Sequence, residues 1–149
     1  NGADNLSGYL TTADGASRIV DDGDAGFSTV GTWTGKAHAA ASGGDYVEIA
    51  GNGSGANRVR WTFEGLTPGT YQVAATWPTG NPNTNSGQTV QYTVYDGAAT
   101  VGARQAVENV TALGSLSQGT NLDTSGFLAD GRRWLAIETV EIDGTRLTV

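Results

Sequence analysis

The sequence predicts an all-β fold, a jelly-roll-like antiparallel β-sandwich. In several short runs apolar and polar residues alternate with a period of two, the pattern of strands that are buried on one face. Dipeptides that favour tight turns separate these runs. Gly occupies 23 of the 149 positions and only 15% of the residues are charged, a composition that disfavours long helices. A chain of this length forms one domain around one core.

Four runs show the strand pattern most clearly. Turn-forming pairs bound them: Pro68-Gly69 precedes the second run, Asp96-Gly97 follows the third, and Asp143-Gly144 follows the fourth. Because successive side chains of a strand point to opposite faces, one set in each run is expected to face the core. These inward-facing residues are Val59, Trp61 and Phe63; Tyr71, Val73, Ala75 and Trp77; Val90, Tyr92 and Val94; and Leu135 and Ile137.

The segment 98–130 gives no single prediction. Residues 103–113 contain helix formers, but Val107, Asn109 and Val110 weaken a helix. Residues 114–130 are rich in Ser, Gly, Asn and Asp, and we expect a long surface excursion there. The chain has too few Lys residues to protect sheet edges, so we expect exposed edges to be covered, twisted or paired with another chain.

Composition excludes several classes of function. The chain has no Cys, which rules out disulfides, Cys-bearing zinc sites and thiol nucleophiles. Its net charge of −7 repels phosphate backbones and anionic lipids, so we expect no nucleic acid and no membrane as a partner. The only His, His38, has no acidic neighbour in sequence for a Ser-His-Asp arrangement, and a hydrogen-bonded or exposed loop His is expected. We expect no enzyme activity.

One acidic turn is a candidate metal site. Asp21, Asp22 and Asp24 surround Gly23, and carboxylate oxygens on a tight loop suit Ca²⁺. The spacing does not fit the twelve-residue calcium loop, and the turn-forming capacity of Asp and Gly alone also explains this composition. Both explanations stay open, and no other cofactor is predicted.

Sugar binding would require aromatic rings on an exposed face beside polar side chains. Trp134 alternates out of phase with Leu135 and Ile137, so it is expected to point away from the core. A ring packed under a loop or against a neighbouring repeat explains the same pattern, and we favour that explanation for Trp134. The candidate sugar-binding residues are Trp134, Tyr95, Trp33, Asn81 and Asn85.

Several segments together resemble a known family. They are Arg18 to Trp33, which contains DDGDAGFSTVGTW, then Gly44-Asp45-Tyr46, then Pro68-Gly69-Thr70-Tyr71, and finally Arg133-Trp134-Leu135. In this order they resemble the golvesin C-terminal-like domain, also described as a xanthan-lyase carbohydrate-binding-like domain. The resemblance implies an extracellular bacterial β-sandwich of large surface proteins, found beside polysaccharide-degrading enzymes, and it implies no catalysis.

The order of segments departs from that family at the two ends. Such domains usually finish with a strand resembling dGYvxADAvrI, whereas this chain finishes at Val149 without one and carries a similar segment at Gly8 to Ile19. We therefore expect one period of a tandem array, with 1–20 as the closing or donated strand segment of the preceding repeat and 21–149 as the sandwich. A circular permutant whose own N-terminal segment folds back is the alternative. The candidate donated residues are Tyr9, Leu10, Thr11, Ile19 and Val20.

These observations lead to two functional hypotheses. The first is a non-catalytic repeat of an extracellular or cell-surface filament, stalk or adhesin, which assembles head-to-tail with copies of itself or neighbouring repeats by strand complementation. The absence of Met fits a piece of a longer or processed protein. The second is a carbohydrate-binding module attached to a secreted polysaccharide-active enzyme, with an extracellular polysaccharide as its partner.

Overall fold

The structure is a computed structural model, and it describes residues 7–12, 17–49, 56–76, 89–99, 104–111 and 127–149. Within these ranges the strands form two five-stranded sheets and one two-stranded hairpin, with all neighbouring strands antiparallel. The prediction of an all-β sandwich is confirmed. Among the residues described, no helix combines the length and the apolar character needed to cross a membrane.

Twelve strands are present in the described part of the chain. In chain order they are β1 (Ser7–Thr12), β2 (Ser17–Val20), β3 (Phe27–Val30), β4 (Thr34–Ala37), β5 (Asp45–Glu48), β6 (Arg58–Glu64), β7 (Gly69–Thr76), β8 (Thr89–Asp96), β9 (Arg104–Thr111), β10 (Phe127–Ala129), β11 (Arg132–Ile142) and β12 (Arg146–Thr148). The first sheet has the order β10-β11-β7-β1-β2, the second has the order β3-β6-β12-β8-β9, and β4 pairs with β5.

The chain passes repeatedly from one sheet to the other. Consecutive strands lie in different five-stranded sheets at β2 and β3, β6 and β7, β7 and β8, β9 and β10, and β11 and β12, so strands that are remote in sequence become neighbours. Such crossings are typical of jelly-roll sandwiches. At the crossing from β6 to β7, the Tyr71 hydroxyl donates to the carbonyl oxygen of Thr67 at 2.7 Å and fixes the corner at the Pro68-Gly69 turn.

The main core lies between the two sheets and follows the predicted period of two. Val59, Leu135 and Ile137 are partly buried and pack against it. Trp77 and the side chain of Val90 lie outside the described residues. The buried members of this main core are Leu10, Trp61, Phe63, Leu66, Tyr71, Val73, Ala75, Tyr92, Val94, Val140, Ile142, Leu147 and Val149.

The segment with no clear prediction also forms strands. Residues 104–111 form β9, which pairs with β8 over its whole length. β-branched residues suit a paired strand better than a helix, so Val107 and Val110 outweigh the helix formers beside them. Phe127–Ala129, inside the stretch expected to be a surface excursion, form β10 because they pair with the start of β11. Residues 112–126 lie outside the described ranges.

Candidate functional site

The N-terminal strand β1 lies inside the first sheet, between β7 and β2. Leu10 stands opposite Val73 on β7 and Arg18 on β2, and Tyr9 stands opposite Ala74 and Ile19. The predicted donated segment is therefore an integral part of a sheet. In the single chain it occupies the sheet of its own domain, which is the arrangement that the fold-back alternative predicts.

β1 packs directly against the main core. Leu10 is 1% exposed. Gly8 has no room for a side chain, since a Cβ atom there would lie 2.9 Å from Trp61 Cγ and 3.2 Å from Phe63 Cζ. Removing β1 would expose these rings and leave the facing edges of β7 and β2 unpaired, so the sandwich is incomplete without this strand.

The neighbouring strand β2 has further contacts with the rest of the domain. The Arg18 guanidinium donates through Nη1 to the carbonyl oxygen of Glu64 in the second sheet. Val20 packs against the main core, and Ile19 packs against a second apolar cluster on the other face of the sheet. Thr11 is half-buried, and the side chain of Tyr9 lies outside the described residues.

The acidic turn after β2 is closed by hydrogen bonds. The backbone N–H of Asp21 donates to Asp24 Oδ2 at 2.9 Å, and the N–H of Asp24 donates to the carbonyl oxygen of Asp21 at 3.1 Å. The N–H of Phe27 then donates to the carbonyl oxygen of Asp24 at 3.0 Å, at the start of β3. Asp24 thus acts as a turn-forming residue, in line with the non-metal explanation of this sequence.

A cluster of three carboxylates lies beside this turn, with Asp45 in the place expected for Asp24. One carboxylate oxygen from each of Asp21, Asp22 and Asp45 lies within 4.8 Å of the others. Gly43 lies against the Asp21 carboxylate, with no room for a Cβ atom. Sequence reasoning missed Asp45 as a member of the cluster because it is remote from the turn in the chain, although the motif Gly44-Asp45-Tyr46 marks the position.

The cluster has unfavourable electrostatics in the absence of a cation. Burial is the main cause that raises the pKa of Asp22 from its ordinary value of 3.8 to about 6, and the negative charges of Asp21 and Asp45 contribute to this rise. A divalent cation that accepts oxygen ligands would neutralise this repulsion. Calcium binding stays a prediction, and Asp21, Asp22 and Asp45 are the residues that could hold the ion.

Trp134 does not provide a surface for sugar binding. Its side chain points away from the main core, as predicted, but it is 0% exposed. The indole Nε1 donates to the carbonyl oxygen of Ala129 at 3.0 Å. Trp134 and Ala74 form the second apolar cluster, with Ile19, Phe127 and Ala129 packed against them. The role of Trp134 as a candidate sugar-binding residue is therefore wrong, because the outer face of the first sheet carries its own apolar cluster. The packed ring that we favoured from the sequence is confirmed.

Of the other candidate sugar-binding residues, the structure describes Trp33 and Tyr95. Trp33 is half-buried after β3, and its Nε1 donates to the carbonyl oxygen of Val30 at 3.0 Å. Tyr95 is half-buried on β8, which is separated from β3 in the second sheet by two strands, β6 and β12. Asn81 and Asn85 lie outside the described residues. Sugar binding by these residues stays a prediction.

His38 is a hydrogen-bonded loop residue. Its Nδ1 accepts a hydrogen bond from the backbone N–H of Ala40 at 3.2 Å, and its ring meets the ring of Tyr46 edge-on at a centroid distance of 6.1 Å. Both contacts fix the connection between β4 and β5. The sequence-based expectation of a hydrogen-bonded loop His is confirmed.

The two sheets, with a first strand that lies in the interior of one of them, define a small antiparallel β-sandwich module. The family model of the Golvesin C-terminal domain matches residues 18–122, and the chain belongs to this family. The family is non-catalytic and indicates an extracellular domain. The match begins at Arg18 inside β2 and does not include β1. No curated protein and no solved structure gives a significant match.

Proposed function

We propose that this chain is a non-catalytic structural repeat of an extracellular filament, stalk or adhesin, assembled head-to-tail by β-strand complementation. One observation carries the proposal: β1 precedes the family match in sequence, yet it occupies an interior position in the first sheet. A strand of this kind can be supplied by a neighbouring copy, and its main-chain hydrogen bonds then provide the affinity. A head-to-tail contact that does not close on itself propagates into a fibre.

The positions of Val149 and β1 in the sandwich support this assembly. The backbone N–H of Val149 donates to the carbonyl oxygen of Trp61 at 2.9 Å, and the Trp61 N–H donates back at 3.0 Å. The side chain of the same Trp61 packs against Gly8 of β1. Packed sheets lie about 10 Å apart. Residues 1–6 could span about 20 Å. A following copy joined to Val149 would therefore reach the β1 position of the preceding domain.

Burial provides the driving force for this assembly. A domain without β1 would expose the apolar surface that Leu10 and Gly8 cover, including parts of Trp61 and Phe63. Full burial of one Leu side chain contributes about 2 kcal/mol. The ladder of β1 with β7 extends over six residue pairs, so a donated strand also satisfies a long row of backbone groups.

A cross-linking experiment tests the proposal. Thr11 and Gln72 are register partners on β1 and β7, and the chain has no Cys, so an introduced pair is the only source of disulfides. Chains carrying Thr11→Cys are mixed with chains carrying Gln72→Cys, unfolded, and refolded together at high concentration under oxidising conditions. We expect a disulfide between the two chains, because antiparallel partners have the Cα spacing that a disulfide needs.

The matched control replaces Gln72→Cys by Thr139→Cys. Thr139 pairs with Gln72 on the far side of β7, so it lies two strand spacings, about 10 Å, from Thr11. This distance is too long for a disulfide. An oxidised mixture that contains only unlinked monomers would refute assembly by strand complementation.

A further inference from the structure

We infer that the exchanged element is β1 alone and that β2 stays with its own domain. This inference rests on the proposed function and names the segment of the second copy that fills the sheet. The boundary between repeats then lies between Thr12 and Ser17, whereas the sequence pattern predicts it after Val20. The partner is a second copy of the same chain, which inserts β1 between β7 and β2 of the receiving domain.

β2 is attached to its own domain by contacts that do not involve β1. Arg18 donates to the backbone of Glu64 in the second sheet, which ties the edge of one sheet to the other. Val20 packs against the main core, and a Cβ atom at Gly26 would lie 3.1 Å from Val20 Cγ1. An exchange that moved β2 together with β1 would require all these contacts to form again between two chains.

The turn after β2 also favours this boundary. Hydrogen bonds between Asp21 and Asp24 lead without interruption to Phe27 at the start of β3, and the N–H of Thr62 donates to the carbonyl oxygen of Gly26 at 2.8 Å. The connection from β2 to β3 is therefore fixed within one domain. If the β1–β2 hairpin moved as a unit, this turn would have to open in order to bridge two domains.

The contacts of β1 differ from those of β2. The ladders of β1 run to β7 and β2, and its inward residues Gly8 and Leu10 face the main core, so any copy of the strand would make the same contacts. The family match includes most of β2 and none of β1, which separates the two strands at the same boundary.

This boundary limits how far apart two exchanging domains can lie. Four residues of sequence, Ala13 to Ala16, connect Thr12 to Ser17, which makes five Cα–Cα steps. Such a connection spans about 18 Å at most. The Thr12 end of β1 in the receiving domain must therefore lie close to Ser17 of the donating copy, and successive domains are in contact.

A second cross-link tests the inference. Thr11 and Ser17 are register partners on β1 and β2. Chains carrying Thr11→Cys are mixed with chains carrying Ser17→Cys and treated as in the first experiment. If β1 alone is exchanged, Thr11 of one chain lies beside Ser17 of another, and we expect interchain disulfides in a yield comparable to that of Thr11 with Gln72. If the hairpin moves as a unit, the two residues that meet always belong to the same chain.

The two cross-links together separate the possible results. Interchain disulfides for both pairs support the inference. An interchain disulfide for Thr11 with Gln72 but none for Thr11 with Ser17 overturns the inference and leaves the proposed function intact. No interchain disulfide for either pair overturns both. Single chains that carry both Cys residues of a pair check that each site can form a disulfide, and a mixture of Ser17→Cys and Gln72→Cys is the negative control because β1 lies between these positions.

Discussion

β1 and the acidic turn after β2 lie at the same end of the first sheet, where Gly8 pairs with Val20, but opposite kinds of interaction hold them. β1 is held by apolar packing, with Leu10 1% exposed. The turn is held by hydrogen bonds and lies beside three carboxylates that repel one another. Burial of apolar surface does not depend on pH, whereas the repulsion does. The stability that β1 supplies is therefore expected to be independent of pH. The stability of the charged turn is expected to change with pH.

The largest effect is expected for Leu10→Ala. The substitution leaves a cavity where β1 meets the main core, and buried Leu→Ala changes cost about 2–5 kcal/mol. Urea unfolding of the full chain at two pH values measures the change, which we expect to be equal at both. Ser17→Ala at an exposed position of β2 is the control, with an expected effect of about 0.5 kcal/mol or less. If Leu10→Ala lowers the free energy of unfolding by less than about 1 kcal/mol, apolar packing does not hold β1 in the sheet.

Gly8→Ala tests the close approach of β1 to the core. The added methyl group would lie 2.9 Å from Trp61 Cγ, so the strand or the ring must shift, and overpacking of this kind costs about 1–3 kcal/mol. Gly35→Ala is the matched control, because Gly35 also lies on a strand and has no atom within 4 Å of an added Cβ. Thermal unfolding of both variants gives the comparison, and equal midpoints would show that β1 is not in tight contact with Trp61.

Trp61 and Trp134, the two tryptophans that are buried in the described part of the chain, test the two faces of the first sheet. Trp134 donates to Ala129 from the outer cluster, whereas Trp61 Nε1 in the main core has no hydrogen-bond partner in the described part of the chain. Replacement by Phe removes a hydrogen bond only at Trp134. We expect Trp134→Phe to lower the free energy of unfolding by about 1 kcal/mol more than Trp61→Phe does, as measured by denaturant unfolding. The opposite order would mean that the hydrogen bond to Ala129 does not stabilise the outer cluster.

Local sequence patterns predicted which face of a strand each side chain lies on. They did not predict contacts between segments that are remote in the sequence. Alternation placed Trp61 inside and turned Trp134 away from the main core, because the direction of a side chain follows from its position in the strand. What covers the outer face depends on β10 and β2, so a packed Trp134 was expected from the sequence but the residues that bury it could not be predicted. Asp45 joins Asp21 and Asp22 only because the fold brings β5 to the turn after β2.

The smallest effect is expected at Asp22. Burial and the neighbouring carboxylates raise its pKa to about 6 in the folded protein, so folding favours the protonated form. The free energy of unfolding should therefore fall as the pH rises from about 4 to about 6. Asp22→Asn should remove this dependence and, after allowance for solvent screening, stabilise the protein by about 1 kcal/mol at pH 7. Asp130→Asn, an exposed change outside the cluster, is the control.

Calcium binding is expected to remove the destabilising repulsion among the three carboxylates without a mutation. If Asp21, Asp22 and Asp45 coordinate the ion, calcium stabilises the folded chain according to its occupancy and neutralises the repulsion that destabilises it at pH 7. The midpoint of thermal unfolding should then be higher in calcium than in a chelator for the unmodified chain. The difference should be smaller for Asp22→Asn. Equal unfolding midpoints in calcium and in chelator would mean that calcium does not bind to the cluster. The cluster would then affect stability only through the protonation of Asp22. The stability supplied by β1 should be unchanged in either case, because its described inward side chain, Leu10, packs among apolar residues of the main core.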